Sequence, residues 1–162
     1  MDPNLEGVTI RRARSNEAEQ IWHVTRAAYA PYRGRVRPEF RALRTTAAAI
    51  RREIRTGRRV YGVAVHEDKV VATIRYRRWR YHLGLSRLAV LPEYQRFGLG
   101  RMMMQWAEER ARKLRVREVR GEVRTVLPEL LEYYKRMGYR PFARRSGRGY
   151  SGYLIAVRKR VR

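Results

Sequence analysis

The chain has 162 residues, 44% of them hydrophobic, and no cysteine; this fits one domain with its own core and excludes disulfides, a thiolate nucleophile and a cysteine metal site. Of 39 basic residues four are lysine, so 35 are arginine, and against 15 acidic residues they give a formal net charge of +24. No apolar run approaches the roughly 20 residues that cross a bilayer, the first residues lack a basic and then apolar leader, and His23, His66 and His82 have no ligand spacing, so the expectation is a cytoplasmic protein with no membrane segment and no metal.

Residues 8–13 alternate at period two and predict a strand. Ser15 or Asn16 can cap a helix, with Glu17 and Glu19 in its first turn, and Pro31 should stop it. Residues 31–38 read as a loop on their Pro and Gly content. A second helix is predicted from Glu39 to Arg55, with a break near Thr45 and a stop at Gly57. Strands follow at 60–65, 70–79 and 83–91, the first two joined by a turn at 66–69. A long helix runs to about Leu114. Residues 116–123 predict a strand. Pro128 opens a short helix that ends at Gly138. Strands at 139–143 and 150–157 close the chain before a basic tail, 158–162. No repeat or linker divides it, so 1–162 is one domain with a core of about 8–157. The order is β-α-α-β-β-β-α-β-α-β-β, an α/β fold with a mixed, mostly antiparallel sheet flanked by helices.

The stretch from Ser86 to Leu114 carries the chemistry. Leu88-Ala89-Val90-Leu91 is a strand end, because Pro92 cannot donate to a sheet ladder. Gln95-Arg96-Phe97-Gly98-Leu99-Gly100 then leads into a helix whose apolar face is Leu99, Met103, Trp106, Ala107, Ala111 and Leu114. Helix N-termini present unpaired N–H groups and suit phosphate, and Arg96 and Arg101 add charge beside them. The segment is not a P-loop, which needs Gly-Lys-Ser/Thr. Nor is it a dinucleotide fingerprint, because Met103 stands where the third glycine belongs.

What it resembles is the acyl-CoA site of the GNAT family of N-acetyltransferases. The match is the Gln/Arg-x-x-Gly-x-Gly/Ala pattern at Gln95 to Gly100, preceded by Arg87-Leu88-Ala89-Val90 and Pro92-Glu93-Tyr94. The predicted element order is also that family's, over about Val8 to Val157. The resemblance implies acetyl-CoA as cosubstrate and an amine acceptor that attacks it directly in a ternary complex. It implies that Gln95, Arg96, Phe97, Gly98, Leu99, Gly100 and Arg101 cradle the pyrophosphate. It further implies that the strand splays at a bulge, so that the backbone of Leu88, Ala89 and Val90 meets pantetheine and the Val90 N–H faces the thioester carbonyl.

Leu131 to Tyr139 is similar to the family's second signature and places Tyr134 where a phenol protonates the departing thiolate. By spacing alone Tyr134 reads as a core position on the apolar face of its helix, and it is the resemblance that turns the reading to a proton donor. The family often has Asn seven residues earlier, where Leu127 stands here, and that role is left unfilled. For the general base the polar candidates are His82, Ser86 and Glu122, none of them distinguished by sequence. The acceptor pocket is expected from residues 29–40, 75–82 and 144–150.

Two explanations of the charge stay open. Scarce lysine points to codon bias, whereas the excess of basic over acidic residues points to a polyanionic partner such as nucleic acid or an acidic protein. The alternative to an enzyme is therefore a basic module, associated with nucleic acid or the ribosome, on the same fold. For an enzyme, such a field repels polycations and favours a neutral or anionic acceptor, a small molecule or a protein amine. A monomer or homodimer is expected.

Overall fold

The computed structural model describes residues 4–162. Its elements are β1 (Thr9–Arg12), α1 (Ala18–Tyr29), α2 (Ala47–Thr56), β2 (Val60–His66), β3 (Lys69–Arg78), β4 (His82–Val90), α3 (Leu99–Lys113), β5 (Glu118–Arg124), α4 (Pro128–Arg136), β6 (Arg140–Arg145) and β7 (Leu154–Arg160). The strands form one seven-stranded sheet in the order β1-β2-β3-β4-β5-β7-β6. Every pairing is antiparallel except β4 with β5. This is the mixed, mostly antiparallel α/β sheet expected from the element order.

Local chemistry sets the helix ends. The Glu17 carboxylate accepts the Arg14 N–H at 2.7 Å and pairs with Arg11, which anchors the entry to α1. The expected second helix is shorter than predicted. Its first part is a single turn at Arg41–Leu43, and α2 begins only after Thr46, whose hydroxyl accepts the Ala49 N–H at 3.1 Å. Gly57 ends α2 in the left-handed conformation. The last turn of α3 holds Arg110, Arg112 and Lys113, which complement the helix dipole.

Side-chain alternation assigns the faces. Arg75 of β3 reaches Glu53 of α2, while its neighbour Tyr76 packs on Trp106 of α3. α1 and α2 therefore cover one face and α3 the other. On β7, Val157 lies beside Tyr134 of α4 and Lys159 bonds Glu108 of α3, so α4 shares the α3 face. Gly62 lets Trp106 lie flat on β2, because a Cβ there would collide with the indole ring. Ile21, Ile50, Val63, Ile74, Leu83, Leu99, Met103, Met104 and Val119 fill the two layers and are fully or almost fully buried. Each contributes roughly 1.5–3 kcal/mol by leaving water.

The chain end departs from expectation. Strand β7 starts at Leu154 rather than Tyr150 and continues through Arg160. Most of the expected basic tail is thus sheet. Arg158 stacks over Phe142, Lys159 donates to buried Glu108 at 3.1 Å, and Val161 is buried. Those partners let charged residues continue the strand.

Candidate active site

β4 and β5 pair only at His82–Glu118, Leu83–Val119 and Gly84–Arg120. Beyond Gly84 they part, and the central sheet opens into a cleft. The ladder between β3 and β4 slips at the same place. Ser86 faces Arg75 and Ala89 faces Thr73, so β4 holds an extra residue there. Arg87 sits at this bulge with φ +53°. The bulge turns two consecutive residues, Ser86 and Arg87, toward the α1–α2 face. Ser86 accepts the Arg75 Nε–H at 3.0 Å, and Arg87 lies among Arg75, Tyr61, Glu53 and Tyr29.

The Leu91 N–H donates to the Val71 carbonyl at 2.9 Å. Val90, opposite Ala72, is then a partner without mutual hydrogen bonds, and its own N–H and C=O point away from β3 into the cleft. The same alternation turns the Ala89 groups toward Thr73. The Val90 carbonyl is not free, because the Gln95 side chain donates to it at 2.9 Å. Gln95 therefore straps the loop to the strand, and the cleft is left the Val90 N–H.

The loop after β4 leads into the N-terminus of α3. Arg96 at φ +71° and Gly98 at φ +85° make the turn. A Cβ on Gly98 would meet nothing within 4 Å, so the space over this turn is open. Gly100 has a different role. A Cβ there would run into the Tyr133 hydroxyl, so Gly100 admits a phenol of α4 against the first turn of α3. Leu99 is a core residue at 1% exposure and can offer a ligand only its backbone. Arg96, Phe97 and Arg101 are exposed beside the turn.

Tyr134 lies across the cleft. Its ring packs on Gly121 of β5, 3.6 Å from where a Cβ would stand, and edge-on to Tyr133 and Tyr139. Its hydroxyl makes no hydrogen bond among the described residues. Burial pushes its phenol up to about 12. The group thus keeps its proton at neutral pH and has hydrogen-bonding capacity to spare. Leu127, where the resemblance wanted Asn, is completely buried and packs.

The three base candidates end up in different places. His82 stacks on Trp79 at the closed end of the cleft, six residues before Leu88, or about 20 Å along a strand. Ser86 is tied to Arg75. Glu122 lies on the diverged part of β5 and accepts from Arg145 at 2.6 Å. Of the expected acceptor segments, 29–40 and 144–150 do come together. Arg37 accepts the Ser151 N–H at 2.8 Å, and the Arg124 guanidinium lies over both Phe40 and Tyr150. The segment 75–82 is divided: Arg75 joins the cleft, while Arg77 stacks on Trp79 toward the closed end. No group of three or more His, Cys, Asp or Glu is placed to hold a metal ion among the described residues. No described helix is long and apolar enough to cross a membrane.

Sequence reasoning missed Tyr133, Arg87 and the strap made by Gln95. The adjacent Tyr133-Tyr134 pair was a visible signal for the first. Nothing in the sequence marks an arginine for a left-handed bulge.

Residues 19–139 match the model of the acetyltransferase (GNAT) family. Among curated proteins none matches. Among solved structures, a candidate GNAT acetyltransferase from Desulfovibrio desulfuricans superposes with a TM-score of 0.80 at 19% identity, covering 96% of this chain and 100% of its own. The PaiA N-acetyltransferase of Thermoplasma acidophilum, solved with coenzyme A, gives 0.79 at 16% identity, covering 95% and 99%. The ribosomal-protein-S18-alanine N-acetyltransferase of Escherichia coli gives 0.73 at 18% identity, covering 95% and 94%. At these identities the likeness is one of fold, and it agrees with the family match over most of the sequence. The chain belongs to the GNAT family of acetyltransferases.

Proposed function

We propose that this protein moves an acetyl group from acetyl-CoA to an amine by direct attack, with no covalent enzyme intermediate. The observation that carries the reading is the parting of β4 and β5 beyond Gly84, next to a helix N-terminus whose entry turn is open at Gly98. An extended pantetheine arm can pair with strand backbone in such a gap, and a pyrophosphate suits such a helix end. Backbone N–H groups from Arg96 to Arg101 and the Arg96 and Arg101 side chains would hold the phosphates. The Val90 N–H would donate to the thioester oxygen, where negative charge develops.

Acetyl-CoA supplies an acyl carbon already activated by its thiol leaving group. The chain's own task is to orient it and manage two protons. A neutral amine attacks the carbonyl carbon, the C–S bond breaks, and the nitrogen gives up a proton. Tyr134 donates a proton to the leaving sulfur and recovers one from the nitrogen through solvent, so the count balances. The acceptor is a neutral or anionic amine, because a chain with net charge +24 repels polycations. The test is release of free thiol from acetyl-CoA in the presence of amines. Amine-dependent release that falls on Tyr134→Phe supports the reading. Acetyl-CoA bound without turnover of any amine, together with steeply salt-dependent nucleic-acid binding, would favour a binding module.

A further inference from the structure

The α1–α2 face of the cleft holds three arginines and one carboxylate. Glu53 accepts from Arg75 Nη1 at 3.3 Å on both oxygens and from the Tyr61 hydroxyl at 3.1 Å, and Arg59 lies 3.6 Å away. Arg75 also donates to Ser86. Glu53 is therefore fully engaged, and none of its bonds goes to Arg87. The Arg87 Nη1 is buried and has no hydrogen-bond partner. Burial, and then the charge of Arg75, lower the guanidinium's pKa from its ordinary value. Tyr29 and Tyr61 are pushed up by burial, so both are neutral phenols at neutral pH and cannot balance the charge.

Such an arrangement costs stability. Buried polar groups are almost always paired, and Glu53 acts on the half-buried Arg87 guanidinium only through space, with no hydrogen bond to its buried Nη1. The backbone adds strain, because Arg87 holds φ +53° where arginine has no preference for it. Both costs fall at the bulge that opens the cleft. An arginine fork is suited to a planar oxyanion such as a carboxylate, which it grips through two parallel N–H bonds.

We propose that the acceptor of this enzyme is an amine that carries a carboxylate, and that Arg87 receives that carboxylate. The inference rests on the acetyl-transfer reading above and narrows its acceptor. Arg87 is three residues before Val90, about 10 Å along a strand. The amine and the carboxylate therefore belong to one small molecule, such as an amino acid, or to one end of a peptide. Arg75 and Glu53 are bonded to each other on the same face, and neither is hydrogen-bonded to Arg87. Arg87 is a specificity-determining residue, not one that moves a proton.

The experiment uses the full chain, acetyl-CoA and matched acceptors. The common L-amino acids, β-alanine and γ-aminobutyrate are each assayed beside their carboxamides, with thiol release as the readout and acetyl-CoA binding measured on the same preparations. The wild type is expected to prefer the acid over the amide of the best acceptor by about 30-fold or more in kcat/KM, the scale of losing one partner of a buried charge pair. The difference should lie in KM. Arg87→Gln should erase the preference, and Arg87→Lys, which keeps charge but not the fork, should restore part of it. Equal use of acid and amide by the wild type overturns the proposal without any variant. So does acetyl-CoA binding with no turnover of any carboxylate-bearing amine, which leaves the acetyl-CoA site standing. Failure to bind acetyl-CoA overturns both readings.

Discussion

β3 and β4 stay paired from Ala72–Val90 to Arg78–Leu83, interrupted once at the bulge, whereas β4 and β5 pair over three residues and then part. The sheet therefore has two unlike halves. Strands β2 to β4 are packed by α1 and α2 on one face and by α3 on the other, and their buried residues are almost all apolar. In the other half, α3 and α4 reach β5 on one face. The opposite face keeps Arg120, Glu122, Arg145 and Arg158 partly exposed. One half is organised for stability. The other leaves backbone and charge available at the seam where it meets the first. Substitutions in the first half should lower stability, and substitutions at the seam should lower activity.

Tyr134→Phe probes the seam with the largest expected effect. On the proposed function, in which Tyr134 supplies the proton to the thiolate, its loss should lower kcat by about 100-fold or more, with acetyl-CoA affinity and melting temperature little changed. A large fall in melting temperature with kcat preserved would move Tyr134 into the core account. Glu108→Ala probes the link between the halves. Glu108 is buried and accepts from Tyr139 at 3.0 Å and Lys159 at 3.1 Å. Its removal should cost about 3 kcal/mol in denaturant unfolding, and a cost near zero would show the link is unimportant.

Gly62→Val probes the packed half. Its side chain would drive Trp106 off β2, at about 1–3 kcal/mol, and activity per folded molecule should survive. Arg145→Ala, at an exposed pair with Glu122, should change stability by less than about 1 kcal/mol. Alkaline titration tests the buried phenols together. Tyr134 ionises at about 12 when folded against 10 when unfolded. The unfolded chain therefore releases its proton first. Stability should be insensitive to this group below pH 10 and fall between 10 and 12, with Tyr29 and Tyr139 shifted in the same sense. A flat stability curve through that range would contradict their burial.

Much of this was legible in the sequence because it is local. Pro92, Gly98 and the apolar stripe of α3 act within a few residues of one another and predict the strand, the turn and the helix together. Element order and sheet class follow from the same periodicities. What was not legible depends on partners distant in sequence. The strand through Arg158 and Lys159 looks like a solvated tail until Phe142 and Glu108 are placed beside it. Gly100 reads as a phosphate glycine, yet its small size makes room for Tyr133, which is 33 positions later. Gln95 fits a ligand motif, yet its side chain holds Val90. The bulge at Arg87 is imposed by the ladder with β3, and a left-handed arginine has no sequence signature. Tyr134 fits both a core site and a catalytic site, and its surroundings at Gly121 and the cleft add the geometry that periodicity lacks.

Calorimetric titration of the nucleic-acid-free protein with acetyl-CoA, beside desulfo-CoA and ATP, tests the central claim that the seam is an acyl-CoA site. One-to-one binding of acetyl-CoA and desulfo-CoA, much weaker binding of ATP, and loss of all three in Gly98→Val is the predicted result. No binding at low salt by the folded protein, or binding that is indifferent to Gly98→Val, would contradict it.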